Sequence, residues 1–121
     1  MKKYELKVDS IGELAQEFLD EQIMVFFGNE APDELKEHSI VHEHGELRSE
    51  VKVGDVIRIG DSEVTVQAIG PVANENLKNI GHFVLKFNGL DEPEMDGDIC
   101  VPETELPPVQ IGTLVTIEGK V

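Results

Sequence analysis

Two histidines lie two residues apart in the segment Val41-His42-Glu43-His44-Gly45. If this segment is extended, both imidazoles point to the same face, because strand side chains alternate with a period of two. Proteins use such a pair as a metal site, as a catalytic pair, or as a phosphoryl carrier with a helper. Two unrelated surface histidines are the plain alternative, and the spacing alone leaves that alternative open.

The surrounding residues favour a phosphoryl carrier. A neutral imidazole nitrogen is a competent nucleophile near pH 7, because the unperturbed pKa of histidine is about 6.5. Gly45 has no Cβ, so backbone N–H groups beside it can approach an anion closely. The partner imidazole, Arg48 and Lys86 are further candidate donors to the transferred group.

His82 follows Gly81 at the start of an expected strand, on the opposite face from Phe83 and Leu85. Two interpretations fit this position. Either the ring packs at a strand end without a chemical role, or it lies beside the His42 segment and orients that ring.

Two other function classes use the same histidines differently. A cupin-like metal-binding β-barrel would bind iron, manganese or zinc through His42, His44, Glu46 or Glu50, and His82. The spacing of the glutamates and the absence of a Gly-rich lead-in argue against this hypothesis. In the third class the chain is an acidic interaction domain, and every histidine is incidental.

Composition restricts the class of partner. The 121 residues include 10 basic and 25 acidic side chains, for a formal net charge of −15. This charge has the wrong sign for binding nucleic acid or an anionic membrane surface. One cysteine, no signal peptide and a longest apolar run of only residues 23–27 indicate a cytoplasmic protein. The length predicts one domain over residues 1–121.

Short strands dominate the pattern. Alternating or continuous apolar runs predict strands at residues 4–8, 23–27, 56–59, 63–69, 82–87, 99–101 and 114–117. Helices are expected at residues 11–19, after a capping box at Ser10, at residues 31–37, and at residues 74–80 with Asn74 as N-cap. This arrangement predicts a mainly β fold, namely a single-domain, partly open Greek-key antiparallel β-barrel with two or three short helices.

Four ordered blocks make the chain similar to a known family. The blocks are APDEL (31–35), IVHEHGEL (40–47), AIGPVANENL (68–77) and GHFVLKFNGL (81–90). Together they resemble the glucitol/sorbitol-specific enzyme IIA component of the bacterial phosphoenolpyruvate-dependent sugar phosphotransferase system (PTS). The fold of that family is also a partly open Greek-key barrel.

The resemblance implies a specific function. The chain would accept a phosphoryl group from the phosphocarrier HPr and pass it to the IIB part of a IIB/IIC membrane permease, without a cofactor. The first histidine of the pair, His42, would carry the phosphoryl group, with His44, Gly45 and His82 in support. Glu43 stands between the two histidines, and in a loop its carboxylate would raise the free-energy cost of phosphorylating His42.

Overall fold

The computed structural model describes residues 1–120, which form nine strands and three helices. The strands are β1 (Lys2–Ile11), β2 (Ile23–Gly28), β3 (Ile40–His42), β4 (Val56–Ile59), β5 (Ser62–Thr65), β6 (Ala68–Ile69), β7 (Phe83–Lys86), β8 (Asp98–Cys100) and β9 (Leu114–Glu118). The helices are α1 (Ala15–Leu19), α2 (Asp33–Lys36) and α3 (Ala73–Ile80).

The strands form one sheet in the order β5-β4-β9-β1-β3-β2-β7-β8-β6. Its two edge strands, β5 and β6, are separated in the chain only by Val66 and Gln67. The sheet must therefore curl until its edges meet, and the Val66 N–H donates to Asp55 O at 2.8 Å while the Gln67 N–H donates to Cys100 O at 2.8 Å. The expected mainly β, partly open barrel with three short helices is confirmed. Two of its pairings, β2 with β3 and β7 with β8, are parallel.

The core fills the inner face of this barrel. Phe26 of β2 stacks on Phe83 of β7 with ring centroids 4.5 Å apart, and both rings are fully buried. Burying a phenylalanine side chain stabilises a fold by about 1.5–3 kcal/mol. Neighbouring residues of the same strands, Phe27 and Val84, lie on the outer face, as the period of two requires.

The first expected helix starts later than its sequence pattern predicts. Ser10 and Ile11 belong to β1, where they pair with Val41 and Ile40 of β3, and α1 begins only at Ala15. The capping-box interpretation of Ser10 was therefore wrong. Ladder hydrogen bonds with β3 outweigh the local capping preference, because a central strand left unpaired would bury unsatisfied backbone groups.

Asn74 also differs from its expected role. Helix α3 begins at Ala73 after Val72, and the Asn74 side chain does not cap it. Instead its amide accepts from the Val51 N–H at 2.8 Å and donates to the Val51 carbonyl at 3.0 Å. This pair of bonds fixes α3 against the loop after β3.

Candidate functional site

His42 is the last residue of β3 and lies between two neighbouring strands. It is paired with Val8 of β1 on one side and with Gly28 of β2 on the other. Its ring is 0% exposed and is edge-on to Tyr4, with ring centroids 6.2 Å apart. Phe26 flanks it at 6.5 Å. The strongest sequence candidate therefore lies inside one end of the barrel.

Both nitrogens of the His42 ring meet backbone carbonyl oxygens. Nδ1 lies 2.8 Å from Glu43 O, and Nε2 lies 2.9 Å from Gly81 O. A neutral imidazole carries one N–H, so it can donate to only one of these oxygens. Burial lowers the pKa of His42, although the two carbonyls favour the protonated ring. In the neutral ring, one nitrogen lone pair is therefore held against a carbonyl oxygen.

His44 follows in the loop after β3, not in the strand. Its Nε2 donates to Lys78 O at 2.9 Å, and its Nδ1 lies 3.6 Å from the carboxylate of Glu30. Lys78 is in the last turn of α3, whose final carbonyls have no partner within the helix. Both imidazoles of the pair thus contact carbonyl oxygens at the C-terminal end of α3, which carries partial negative charge.

Gly45 is needed for close packing. Its N–H donates to the Tyr4 hydroxyl at 3.0 Å. A Cβ at this position would lie 3.0 Å from Glu5 O and 3.3 Å from Tyr4 Cζ. The amide proposed as an anion donor is therefore occupied by Tyr4 in this structure. The side chain of Glu43 is exposed, so it is its carbonyl and not its carboxylate that contacts His42.

His82 lies on the outer face of the barrel and makes no hydrogen bond to His42 among the described residues. Its Nδ1 donates to Phe26 O at 2.9 Å, and its ring stacks on Phe27 at 3.9 Å. Burial lowers the pKa of His82, while the Phe26 carbonyl favours its protonated form. The link to His42 runs through the backbone, because Gly81 precedes His82 and its carbonyl meets His42 Nε2.

The other basic candidates are not grouped with His42. Lys86 points to the outer face, where its Nζ lies 2.9 Å from Asp98 Oδ2 and 3.6 Å from Glu94 Oε1. The Arg48 side chain is exposed, and its backbone N–H donates to Lys3 O.

Sequence reasoning missed two residues that define the site. Tyr4 carries the hydroxyl that holds the loop at Gly45, and it was interpreted only as part of a strand. Gly81 adopts a left-handed conformation at φ 63°, and a Cβ there would lie 3.0 Å from His42 Cε1. The available signal for Gly81 was its position after an amphipathic helix, where glycine commonly provides the C-cap.

The structure does not bring together the ligands that the cupin-like hypothesis requires. Across residues 1–120 no three His, Cys, Asp or Glu side chains are grouped as a metal ion would require. The expected ligands point to different carbonyls, namely those of Gly81, Lys78 and Phe26. No helix in the described part of the chain is long and apolar enough to cross a membrane.

Comparisons with known proteins agree on one family. The profile of the PTS system glucitol/sorbitol-specific IIA component matches residues 3–116. The glucitol/sorbitol-specific EIIA components of Shigella flexneri and of Escherichia coli K12 are each 36% identical over 98 residues, covering 81% of this chain and 80% of the relative.

A solved structure supports the same assignment. The PTS system IIA component from Enterococcus faecalis V583 superimposes with a TM-score of 0.78 at 29% identity, over 93% of this chain and 97% of that one. The sequence therefore places this chain in the family of glucitol/sorbitol-specific IIA components of the PTS, a family of phosphotransferase components, and the barrel agrees with that of a PTS IIA component.

Proposed function

We propose that this chain is a cytoplasmic phosphocarrier that accepts a phosphoryl group on His42 from phospho-HPr. It passes the group to the IIB component of a glucitol/sorbitol permease, so that the sugar is phosphorylated during uptake. Family membership supports the phosphocarrier role. The chemistry takes place on a side chain and requires no cofactor.

The observation that carries the proposal is the environment of the His42 ring. Burial lowers its pKa, which keeps the ring neutral and nucleophilic at neutral pH. Its orientation is fixed by the Glu43 carbonyl at Nδ1 and by the edge of Tyr4. His44 is partly exposed and lacks this enclosure, with 23% of its side chain accessible.

Nε2 is the proposed nucleophile. The Nδ1 contact is made to the next residue, Glu43, and it persists as long as the local loop is intact. A hydrogen on Nδ1 is then donated to Glu43 O, which leaves the lone pair on Nε2. Nε2 attacks phosphorus, the N–P bond forms, and the bond from phosphorus to the donor breaks with its electron pair leaving on the donor. Transfer to IIB reverses the roles.

Phosphotransfer requires the turn at Gly81 to move. Its carbonyl lies 2.9 Å from His42 Nε2 and occupies the side from which phosphorus must approach. Displacement of this turn removes the contact between lone pair and carbonyl and opens the nitrogen. The enclosed ring therefore corresponds to a resting state between transfers.

Three residues support this arrangement. His44 ties its loop to the end of α3 through Lys78 O, and Gly45 ties the same loop to Tyr4. His82 holds the chain directly after Gly81 through its bond to Phe26 O. We assign all three as positioning residues for His42.

Labelling with phosphoenolpyruvate, enzyme I and HPr tests the function. The wild-type chain is expected to form an acid-labile, alkali-stable phosphoprotein, and His42→Gln is expected to abolish it. His44→Gln should keep the label but acquire it several-fold more slowly, because it removes only one bond to α3. Circular dichroism checks that both variants fold. Label retained in His42→Gln and lost in His44→Gln would reverse the assignment within the pair.

A further inference from the structure

A groove lies on the outer face of the barrel, next to the site but not part of it. It has a volume of about 640 Å³ and is lined mainly by apolar side chains. We name it the outer groove; its lining includes Phe18, Val25, Phe27, Leu35, Val84 and Met95. It borders the site because His82, which also lines it, directly follows Gly81.

The rim of the outer groove exposes large apolar side chains to solvent. Leu35 is 45% exposed and Met95 is 67% exposed. Contiguous exposed apolar surface on a soluble protein commonly marks a binding site, because leaving it in water costs free energy. The outer groove is therefore suited to receive an apolar side chain from a partner.

His82 adds one directional polar group to this surface. Its Nδ1 carries the hydrogen, because it faces the Phe26 carbonyl at 2.9 Å, so Nε2 carries the lone pair. Within residues 1–120 no hydrogen bond is made to Nε2. The stacking on Phe27 at 3.9 Å holds the ring in place. The outer groove thus offers one fixed hydrogen-bond acceptor.

Charge defines the kind of partner. Three segments that contribute lining residues to the outer groove, residues 15–23, 33–39 and 93–98, are strongly acidic, with Lys36 as their one lysine or arginine. Their acidic residues are Glu17, Asp20, Glu21, Asp33, Glu34, Glu37, Glu94, Asp96 and Asp98; Asp98 itself lines the groove, and the other eight are exposed on these flanking segments. Lys86 also lines the groove, but it is paired with Asp98 and Glu94. The exposed carboxylates of these flanking segments attract cations.

We propose that the outer groove is the docking site for a protein whose contact face presents an apolar side chain flanked by lysine or arginine. A hydrogen-bond donor of that face binds His82 Nε2. Nucleic acid and anionic membranes have the wrong charge, and a second copy of this chain would bring a formal charge of −15 against the same acidic segments. The proposal rests on the proposed function for the two proteins used as probes, HPr and the IIB component.

A matched pair of double variants tests the proposal. Leu35→Gln with Met95→Gln alters the rim without changing its charge. Val53→Gln with Ile111→Gln is the control, because these side chains are exposed at 61% and 70% and line neither the outer groove nor the cleft beside His44 and Gly45. Each variant is titrated calorimetrically with unphosphorylated HPr and with IIB. For at least one probe we expect Kd to rise roughly tenfold in the rim variant and to stay unchanged in the control. Wild-type Kd should rise with ionic strength.

Labelling by phosphoramidate, a small phosphoryl donor, separates the two proposals. The rim variant should be labelled as fast as the wild type, and His42→Gln should lose the label while keeping its Kd. Equal affinities of the rim and control variants for both probes would overturn the docking proposal. A wild-type dimer in light scattering that the rim variant dissociates would also overturn it, in favour of self-association. Failure of His42→Gln to remove the label would instead overturn the function proposed for His42.

Discussion

The His42 imidazole meets a carbonyl oxygen at each nitrogen, at 2.8 Å and 2.9 Å, inside a pocket that also lowers its pKa. A ring with a single hydrogen cannot satisfy both contacts. One of them is therefore repulsive in the neutral state, and the proposed movement of the Gly81 turn would relieve it. In the function proposed for His42, this contact would favour opening of the turn before the ring reacts.

Tyr4 is expected to position His42 through the loop. Its hydroxyl accepts the Gly45 N–H at 3.0 Å, and this loop carries the Glu43 carbonyl that orients Nδ1. Tyr4→Phe leaves the partly buried Gly45 N–H without its partner, at a cost of about 1 kcal/mol. We expect labelling from phosphoramidate to slow by roughly tenfold in a folded protein.

The ring nitrogens of His42 distinguish positioning from general destabilisation in Tyr4→Phe. In 15N NMR spectra of the wild type we expect one protonated nitrogen, Nδ1, and in the variant a mixture of the two tautomers. An unchanged tautomer and an unchanged labelling rate would rule out the positioning role of Tyr4.

Helix α3 and the turn that follows it act as one element over the site. Gly81 ends the helix in the left-handed region at φ 63°, and its N–H donates to Leu77 O at 3.1 Å. A Cβ on Gly81 would also lie 3.3 Å from Gly28 Cα, so the turn packs against the end of β2. Glycine at both positions lets the two backbones approach around the His42 ring.

Gly81→Ala is expected to disturb phosphotransfer in addition to stability. Alanine at φ 63° costs about 1–2 kcal/mol, and its Cβ would lie only 3.0 Å from His42 Cε1. Gly89→Ala is the matched control, because Gly89 has φ 69° but its nearest neighbour would be 3.5 Å away, on Glu103. Urea unfolding should show a loss of stability in both variants, larger in Gly81→Ala because of its contact with His42, and only Gly81→Ala should change the rate of labelling. Equal labelling rates in the two variants would contradict the contact.

At the scale of the whole molecule, the barrel places two imidazoles with lowered pKa on opposite faces of one sheet. His42 is enclosed at one end of the inner face, and His82 lines the outer groove. Gly81 and Phe26 link them, since Gly81 O meets His42 and Phe26 O accepts from His82. A partner in the outer groove would therefore contact the residue directly after the turn that covers Nε2.

These two histidines make stability depend on pH in a defined direction. Burial lowers the pKa of both His42 and His82 below the unfolded value of about 6.5. Protonation therefore favours the unfolded chain, and the stabilisation present above pH 6.5 is lost as pH falls through the folded pKa values. Urea unfolding should show that the free energy of unfolding declines from pH 7.5 to pH 5.5. His82→Phe removes one of the two groups and should make the decline shallower, whereas an identical slope in both proteins would contradict the assignment.

Local patterns in the sequence determined much of the fold. The alternation of apolar and polar residues predicted most of the strands, since a strand that buries one face must repeat with a period of two. The four sequence blocks around His42, α3 and β7 also indicated the family. The pattern failed where long-range pairing overrode local preference, as at Ser10, which pairs with Val41 instead of capping a helix.

The composition of the site was decided by tertiary structure. The His-Glu-His-Gly segment is evident in the sequence, but the sequence does not show that Tyr4 and Gly81 meet it from 41 and 39 residues away. Nor does it show that His82 faces away from His42, because that depends on how the curled sheet turns its two faces. Burial, carbonyl contacts and therefore pKa belong to the folded barrel, since each depends on groups that only the closure of the sheet brings together.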